Sequence, residues 1–331
     1  MTLRFALFGA GRIGAIHAGN LFRNPSAELR YVVDVDTTAA KKLAGAHGAV
    51  ATSAETALGD PSIGAVLIAS STDTHADLCI ASSKAGKAIF CEKPIDLSLA
   101  RVEHCIAAIR SEGVPMLVGF NRRFDPSFAT LKRRLDQGEI GSVEQVIISS
   151  RDPAPPPLAY VKVSGGLFRD MMIHDFDMAR WLLGEEPHTV FAAASSIIDA
   201  DIGRAGDVDS AMVLMHTRSG RLCHINNSRR ASYGYDQRIE VHGSKGRLIA
   251  GNPTPTTVES ANADVVAIDK PHHFFLERYA EAYANELDQF TAAVKERRPM
   301  PVSAEDGRRA LVLAEAAIQS ASSGQAVGVA L

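Results

Sequence analysis

An acid and a histidine four residues apart, Asp170 and His174, stand in the stretch GGLFRDMMIHDFD (165–177), and together they could move a proton. If a helix runs from about Asp170 towards Leu183, residues at this spacing share one face. A carboxylate one turn from an imidazole can orient the ring and favour its charged form. That suits a histidine taking a proton from a hydroxyl near neutral pH. The same pair also suits a plainer assignment, with Asp170 capping the helix and His174 an ordinary surface or core histidine. On these thirteen residues alone the plainer assignment is the stronger. A third candidate, Lys93, follows the apolar run Ala88-Ile-Phe-Cys91 and precedes Pro94. An ammonium there could steady negative charge on a reacting oxygen; on position alone it could equally be a solvated loop lysine.

The elements that would position these groups begin at the N-terminus. Leu3 to Phe8 is nearly all apolar, as in a strand buried on both faces of a parallel sheet. It runs into Gly9-Ala-Gly11-Arg12-Ile13-Gly14, and a helix-compatible stretch and a second apolar strand ending at Asp34 follow. GxGxxG alone is weak. After a strand, before a helix, and with an acid twenty residues beyond Gly14, it reads as a dinucleotide-binding turn. Gly9 then allows the tight turn, Gly11 the approach of a pyrophosphate, and Gly14 close packing of the helix. Arg12 and Ile13 are grouped with them, and Asp34 is placed for a ribose 2′-hydroxyl. No arginine follows Asp34, and Asp36 adds a second negative charge, so NAD is expected over NADP.

Alternation of strand and helix continues through Ala65–Ala69 and Ala88–Cys91 to Val114–Gly119. Ligands of open α/β sheets sit outside the carboxyl ends of strands. That places the loop Ser70–His75, with Ser71, Thr72 and His75, and the turn Glu92-Lys93-Pro94 among the cofactor contacts. After Phe120 the pattern changes to several short alternating segments, including 189–196, 209–216, 221–230, 237–243, 247–249 and 257–260, and then two helices, 274–297 and 304–323. Strands in succession imply antiparallel pairing. The expected fold is therefore α/β plus α+β. An N-terminal Rossmann dinucleotide-binding domain spans residues 1–120. A C-terminal α+β domain spans residues 121–331, built on a large, mainly antiparallel open sheet, with the closing helices candidates to pack back on the first domain. One face of such a sheet needs cover, and a homo-oligomer is one solution.

The chain of 331 residues carries a formal charge of -3, which gives no reason to expect nucleic acid or an anionic membrane as partner. No apolar run is long enough to span a bilayer, and the four cysteines lack CxxC spacing, so free thiols in a reducing cytoplasm are expected. Nothing calls for a metal.

With GAGRIG, Asp34, Glu92-Lys93-Pro94 and Asp170-x-x-x-His174-Asp175 in hand, the whole chain resembles the Gfo/Idh/MocA oxidoreductase family. FNRRFD (120–125) and YGYDQR (233–238) resemble its inositol-oxidising branch. The resemblance implies that Lys93, Asp170 and His174 form the catalytic set. It also implies that Arg123 and Tyr235 contact substrate, that Asp152 lies at the same place, and that the assembly is a tetramer. Where some relatives carry Arg-Asn-Pro, this chain has Arg151-Asp152-Pro153, which leaves the substrate contact at position 152 and the choice of inositol isomer open. The implied reaction is NAD-dependent oxidation of a secondary ring alcohol of a cyclic polyol, with myo-inositol foremost. Other inositols or an aldose are alternatives, and a non-catalytic NAD-binding regulator is a distant one.

Overall fold

The computed structural model describes residues 2–330. They divide into two compact units, one of the residues up to Phe124 with Ala282–Leu311, the other of Asp125–Glu281 with the residues from Val312 onward.

The first unit holds six parallel strands: β1 (Leu3–Phe8), β2 (Ala27–Val33), β3 (Val50–Ala51), β4 (Ala65–Ile68), β5 (Ala88–Glu92) and β6 (Met116–Gly119). Helices α1 (Arg12–Arg23), α2 (Thr37–Ala46), α3 (Ala54–Gly59), α4 (His75–Lys84) and α5 (Leu99–Glu112) join them in turn. The central strands are apolar without alternation because both faces are covered: every residue of β4, β5 and β6 is buried. The strand order is β3-β2-β1-β4-β5-β6, the Rossmann arrangement expected. Its direction reverses between β1 and β4, whose carboxyl ends are Phe8 and Ile68.

The second unit opens with α6 (Pro126–Asp136), β7 (Val143–Arg151) and α7 (Leu158–Ser164). A π-helical turn, Leu167–Met171, leads into α8 (Ile173–Leu183), then β8 (Pro187–Ser195) and α9 (Ala200–Arg204). Strands β9 (Ser210–Thr217), β10 (Leu222–Ser228), β11 (Asp236–Gly243) and β12 (Gly246–Ala250) follow. Next come a hairpin of β13 (Glu259–Ala261) and β14 (Val266–Ile268) and the short α10 (Phe275–Arg278). The chain closes with α11 (Ala280–Glu296), nearly all of which belongs to the first unit, α12 (Ala304–Ser323), which is divided between the units after Leu311, and β15 (Val327–Gly328). The seven-stranded sheet runs β12-β11-β7-β10-β9-β8-β15 and is antiparallel except for the β7–β10 pair. The segment at 257–260, expected to lie among these strands, belongs instead to the separate two-stranded hairpin, whose strand residues are all exposed. The helix expected over 274–297 is broken at Tyr279 into α10 and α11.

Alternation sets the two faces of the large sheet. On β9, Ala211, Val213 and Met215 point into the core, whereas Met212 and Leu214 are 60% and 55% exposed. Two fully buried carboxylates sit at the ends of these strands. Burial pushes Asp209 up, but main-chain N–H groups of Asp199, Ile198 and Ile197 outweigh it and hold the carboxyl below its usual range. Burial likewise raises Asp236, and hydrogen bonds from Arg238, Tyr233 and Asn252 overcome it. Carboxyls depressed in the folded state stabilise it fully above their unfolded pKa, about 4, and the gain is lost as pH falls through the folded values. The melting temperature of the second unit should therefore drop steeply below about pH 4; a flat melting curve down to about pH 2 would contradict this.

Candidate active site

In the first unit the three glycines of the opening turn do different work. A side chain at Gly9 (φ +106) would put Cβ 2.3 Å from the Ala69 carbonyl oxygen, where β1 and β4 diverge. At Gly14 it would lie 2.0 Å from the Gly9 carbonyl, so α1 could not pack against the turn. At Gly11 it would meet nothing within 4 Å. The chain itself therefore does not exclude a side chain there, and the open space leaves room for an approaching group. Gly11 is also the N-cap of α1, with no side-chain cap, which leaves backbone N–H groups at that end for an anion. These residues fit a pyrophosphate. Arg12 is exposed and Ile13 half-buried beside them.

Asp34 ends the second strand half-buried. Its Oδ2 accepts from the Ala10 N–H at 2.6 Å, and its Oδ1 from the Asp36 N–H at 2.8 Å. The acid thus braces the glycine turn from the end of β2. Beyond β4, Ser71 is exposed and Thr72 starts a short 3₁₀ turn, Thr72–Thr74, pinned by Ser70 Oγ and Thr74 Oγ1 at 2.7 Å. Two further expected contacts are buried. His75 is buried between two loops, with Nδ1 2.8 Å from the Pro94 carbonyl oxygen and Nε2 3.1 Å from the Ser70 carbonyl oxygen. Glu92 is buried as well, with Oε1 2.6 Å from His17 Nε2. Lys93 follows it, half-buried, with a cis peptide to Pro94.

In the second unit Asp170 lies within the π-helical turn and His174 in the first turn of α8. Asp170 does not cap α8; Met172 does, and the Met172 N–H reaches back to the Leu167 carbonyl at 2.9 Å. The four-residue spacing therefore crosses a π-turn, a feature concentrated at functional sites. Gly165 and Gly166 precede it because both adopt positive φ, +88 and +80. A Cβ at Gly166 would also sit 2.6 Å from Asp207 Oδ1, the atom that accepts from the Leu167 N–H at 2.9 Å where the turn begins. Asp170 Oδ1 accepts from the Tyr160 hydroxyl at 2.9 Å. Tyr160 escapes sequence reasoning because α7 follows a proline-rich stretch that reads as a loop.

Below His174, Asp175 is fully buried and anchors the helix to the sheet: Ser150 Oγ donates to its Oδ1 (2.6 Å) and Asn227 Nδ2 to its Oδ2 (2.9 Å). Ser150 and Asn227 are register partners on β7 and β10, so one buried acid fixes the rotation of α8. Cys223, on β10 and fully buried, has its thiol pushed up by that burial and by the Asp175 charge.

The three expected substrate contacts fare unequally. Arg123 Nη2 is paired with Asp306 at 3.0 Å in the first unit. Asp152 is half-buried at the end of β7, its N–H on the Ser228 carbonyl at 2.9 Å. Tyr235 is 6% exposed, its ring edge-on to Phe274 and Tyr279, so packing accounts for the ring. Its neighbour Tyr233 is the more exposed tyrosine, donating to Asp236 Oδ2 (2.6 Å) and accepting from Arg151 Nη1 (3.0 Å).

Known proteins resemble the chain along its whole length. Residues 3–120 match the NAD-binding Rossmann fold of an oxidoreductase family, and residues 132–331 match that family's C-terminal alpha/beta domain. The chain is 50% identical to an inositol 2-dehydrogenase of Rhizobium meliloti over 330 residues, all of both chains. It superposes with a TM-score of 0.96 on the crystal structure of a myo-inositol dehydrogenase from Corynebacterium glutamicum, 43% identical with both chains fully covered. A scyllo-inositol dehydrogenase from Lactobacillus casei, solved with NAD(H) and scyllo-inositol, matches at 0.93 and 29% identity over all of both chains. In fold, in both domains and in its glycine turn, the chain belongs to the Gfo/Idh/MocA oxidoreductase family.

Proposed function

We propose that the protein oxidises a secondary ring alcohol of a cyclic polyol with NAD⁺, with myo-inositol converted at C2 to the 2-keto product. The observation that carries this reading is the 50% identity, end to end, to an inositol 2-dehydrogenase. His174 takes the hydroxyl proton, and Asp170, steadied by Tyr160, orients the imidazole. Lys93 donates to the reacting oxygen and stabilises charge as it develops. NAD⁺, when bound, accepts the hydride from the carbinol carbon. Arg123, Asp152 and Tyr235 are substrate contacts in this reading, with Arg123 held by Asp306.

In this reading NAD is preferred over NADP because Asp34 and Asp36 would repel a 2′-phosphate at the ribose position. Asp34→Ala should weaken NAD⁺ binding about tenfold or more, because it removes the ribose acceptor and the brace on Ala10, and should let NADP⁺ compete. Unchanged KM for NAD⁺ would show that the ribose contact lies elsewhere.

A homo-oligomer, a tetramer by family likeness, is part of the same proposal. Ile147, Phe191, Met212, Leu214, Leu222 and Ile249 leave apolar surface on the outer sheet face. The four cysteines are buried free thiols, as suits a reducing cytoplasm, and no helix among the described residues is long and apolar enough to cross a membrane. Reduction of NAD⁺ followed at 340 nm with myo-inositol, scyllo-inositol, D-chiro-inositol and glucose tests the substrate. Preference for myo-inositol is expected, and preference for glucose would move the enzyme to the aldose dehydrogenases.

A further inference from the structure

Glu92 is a buried acid at the last position of β5, 8% exposed, immediately before Lys93. Three elements meet on its side chain. Its ladder partner on β6 is Gly119, where an added Cβ would lie 3.0 Å from Glu92 Oε2, so the carboxylate packs closely over the glycine. On its other side is His17, three residues beyond Gly14 on α1 and 0% exposed, with Nε2 at 2.6 Å from Glu92 Oε1. The imidazole is fixed edge-on by Phe90 (5.1 Å, 67°) and Tyr283 (5.6 Å, 88°). Its Nδ1 is buried with no hydrogen-bond partner. A proton on Nε2 donated to the carboxylate is therefore the arrangement that leaves no buried N–H unpaired.

Burying an acid and an imidazole costs more than an apolar pair of the same volume, which would often be neutral or stabilising. Here the polar pair stands between the helix that opens at the glycine turn and the strand end that delivers Lys93. A contact that only filled space would not call for a 2.6 Å bond at that position.

We propose that His17 and Glu92 are positioning residues: their hydrogen bond locks the end of β5 to α1 and so sets where Lys93 stands relative to the glycine turn. Neither side chain acts on cofactor or substrate. The proposal rests on the role given above to Lys93, and the test separates the two.

Turnover with myo-inositol, NADH affinity by fluorescence titration and thermal melting would be measured for His17→Leu, His17→Gln, the double variant His17→Leu/Glu92→Leu, Lys93→Met, and the triple variant. His17→Leu should lower kcat by about 10- to 100-fold while NADH affinity moves by no more than about threefold. His17→Gln, which keeps a donor, should recover most of that loss. If His17→Leu does not fold, the double variant should, because no acid is left unpaired, and it should be equally slow. On the Lys93→Met background the double substitution should cost about twofold or less, because a lysine that is absent cannot be misplaced. A folded double variant with normal kcat, a loss confined to NADH affinity, or full additivity with Lys93→Met would overturn the proposal. Normal turnover in Lys93→Met would instead overturn the role of Lys93 itself.

Discussion

Replacing His174 by alanine is expected to lower kcat with myo-inositol by about 10³-fold, the middle of the range for a lost general base. NADH affinity should stay close to wild type, because the glycine turn, Asp34 and the Ser70–Thr74 loop are untouched. The fold should survive, since α8 is held by Asp175 on Ser150 and Asn227. If His174 is the base, wild-type kcat/KM rises with pH as the imidazole loses its proton, and that limb should vanish in the variant. A variant with normal kcat, or one that keeps the limb, would remove His174 from proton transfer.

Lys93→Met should cost about 10²- to 10³-fold in kcat, the size of effect seen when one preorganised donor to a developing oxyanion is removed. Methionine keeps the length and apolar stem of lysine and deletes the ammonium, so a half-buried position is filled without a cavity. If Lys93 bound substrate equally well in ground and transition states, KM would rise and kcat would hold. A fall in kcat with little change in KM is therefore the signature of the proposed role. A pure KM effect would reduce Lys93 to a binding group.

The first unit was legible because its signals are local. Unalternated apolar strands, a glycine turn between strand and helix, and an acid at the end of β2 each lie within a few dozen residues and follow from backbone sterics and burial. The second unit was legible as a mainly antiparallel sheet, although the parallel β7–β10 pair was not, because strand alternation carries no information about direction. What sequence reasoning missed depends on contacts between distant residues. The pairing of Glu92 with His17, 75 residues away, leaves no local sign in the sequence. The burial of the His75 ring between the Ser70 and Pro94 carbonyls is likewise invisible in the sequence. The π-turn at Leu167–Met171 has no periodicity of its own; its only trace in the sequence is the Gly165-Gly166 pair, whose left-handed conformations admit the turn. The closing helices were candidates to pack back on the first domain, and residues 282–311 do belong to that unit, but the contacts responsible, Phe290 on α11 against Phe5 and Phe90, lie beyond what helical spacing alone can address.

The most direct measurement is of hydride transfer itself. The protein would be incubated with NAD⁺ and myo-inositol carrying deuterium at C2, and the reduced cofactor analysed by mass spectrometry and NMR. Direct transfer from the C2 carbinol carbon predicts reduced nicotinamide with one deuterium at C4, formed in step with the 2-keto product. Reduced cofactor without deuterium would place the oxidised carbon elsewhere on the ring, and no reduced cofactor with any inositol would contradict a polyol dehydrogenase altogether.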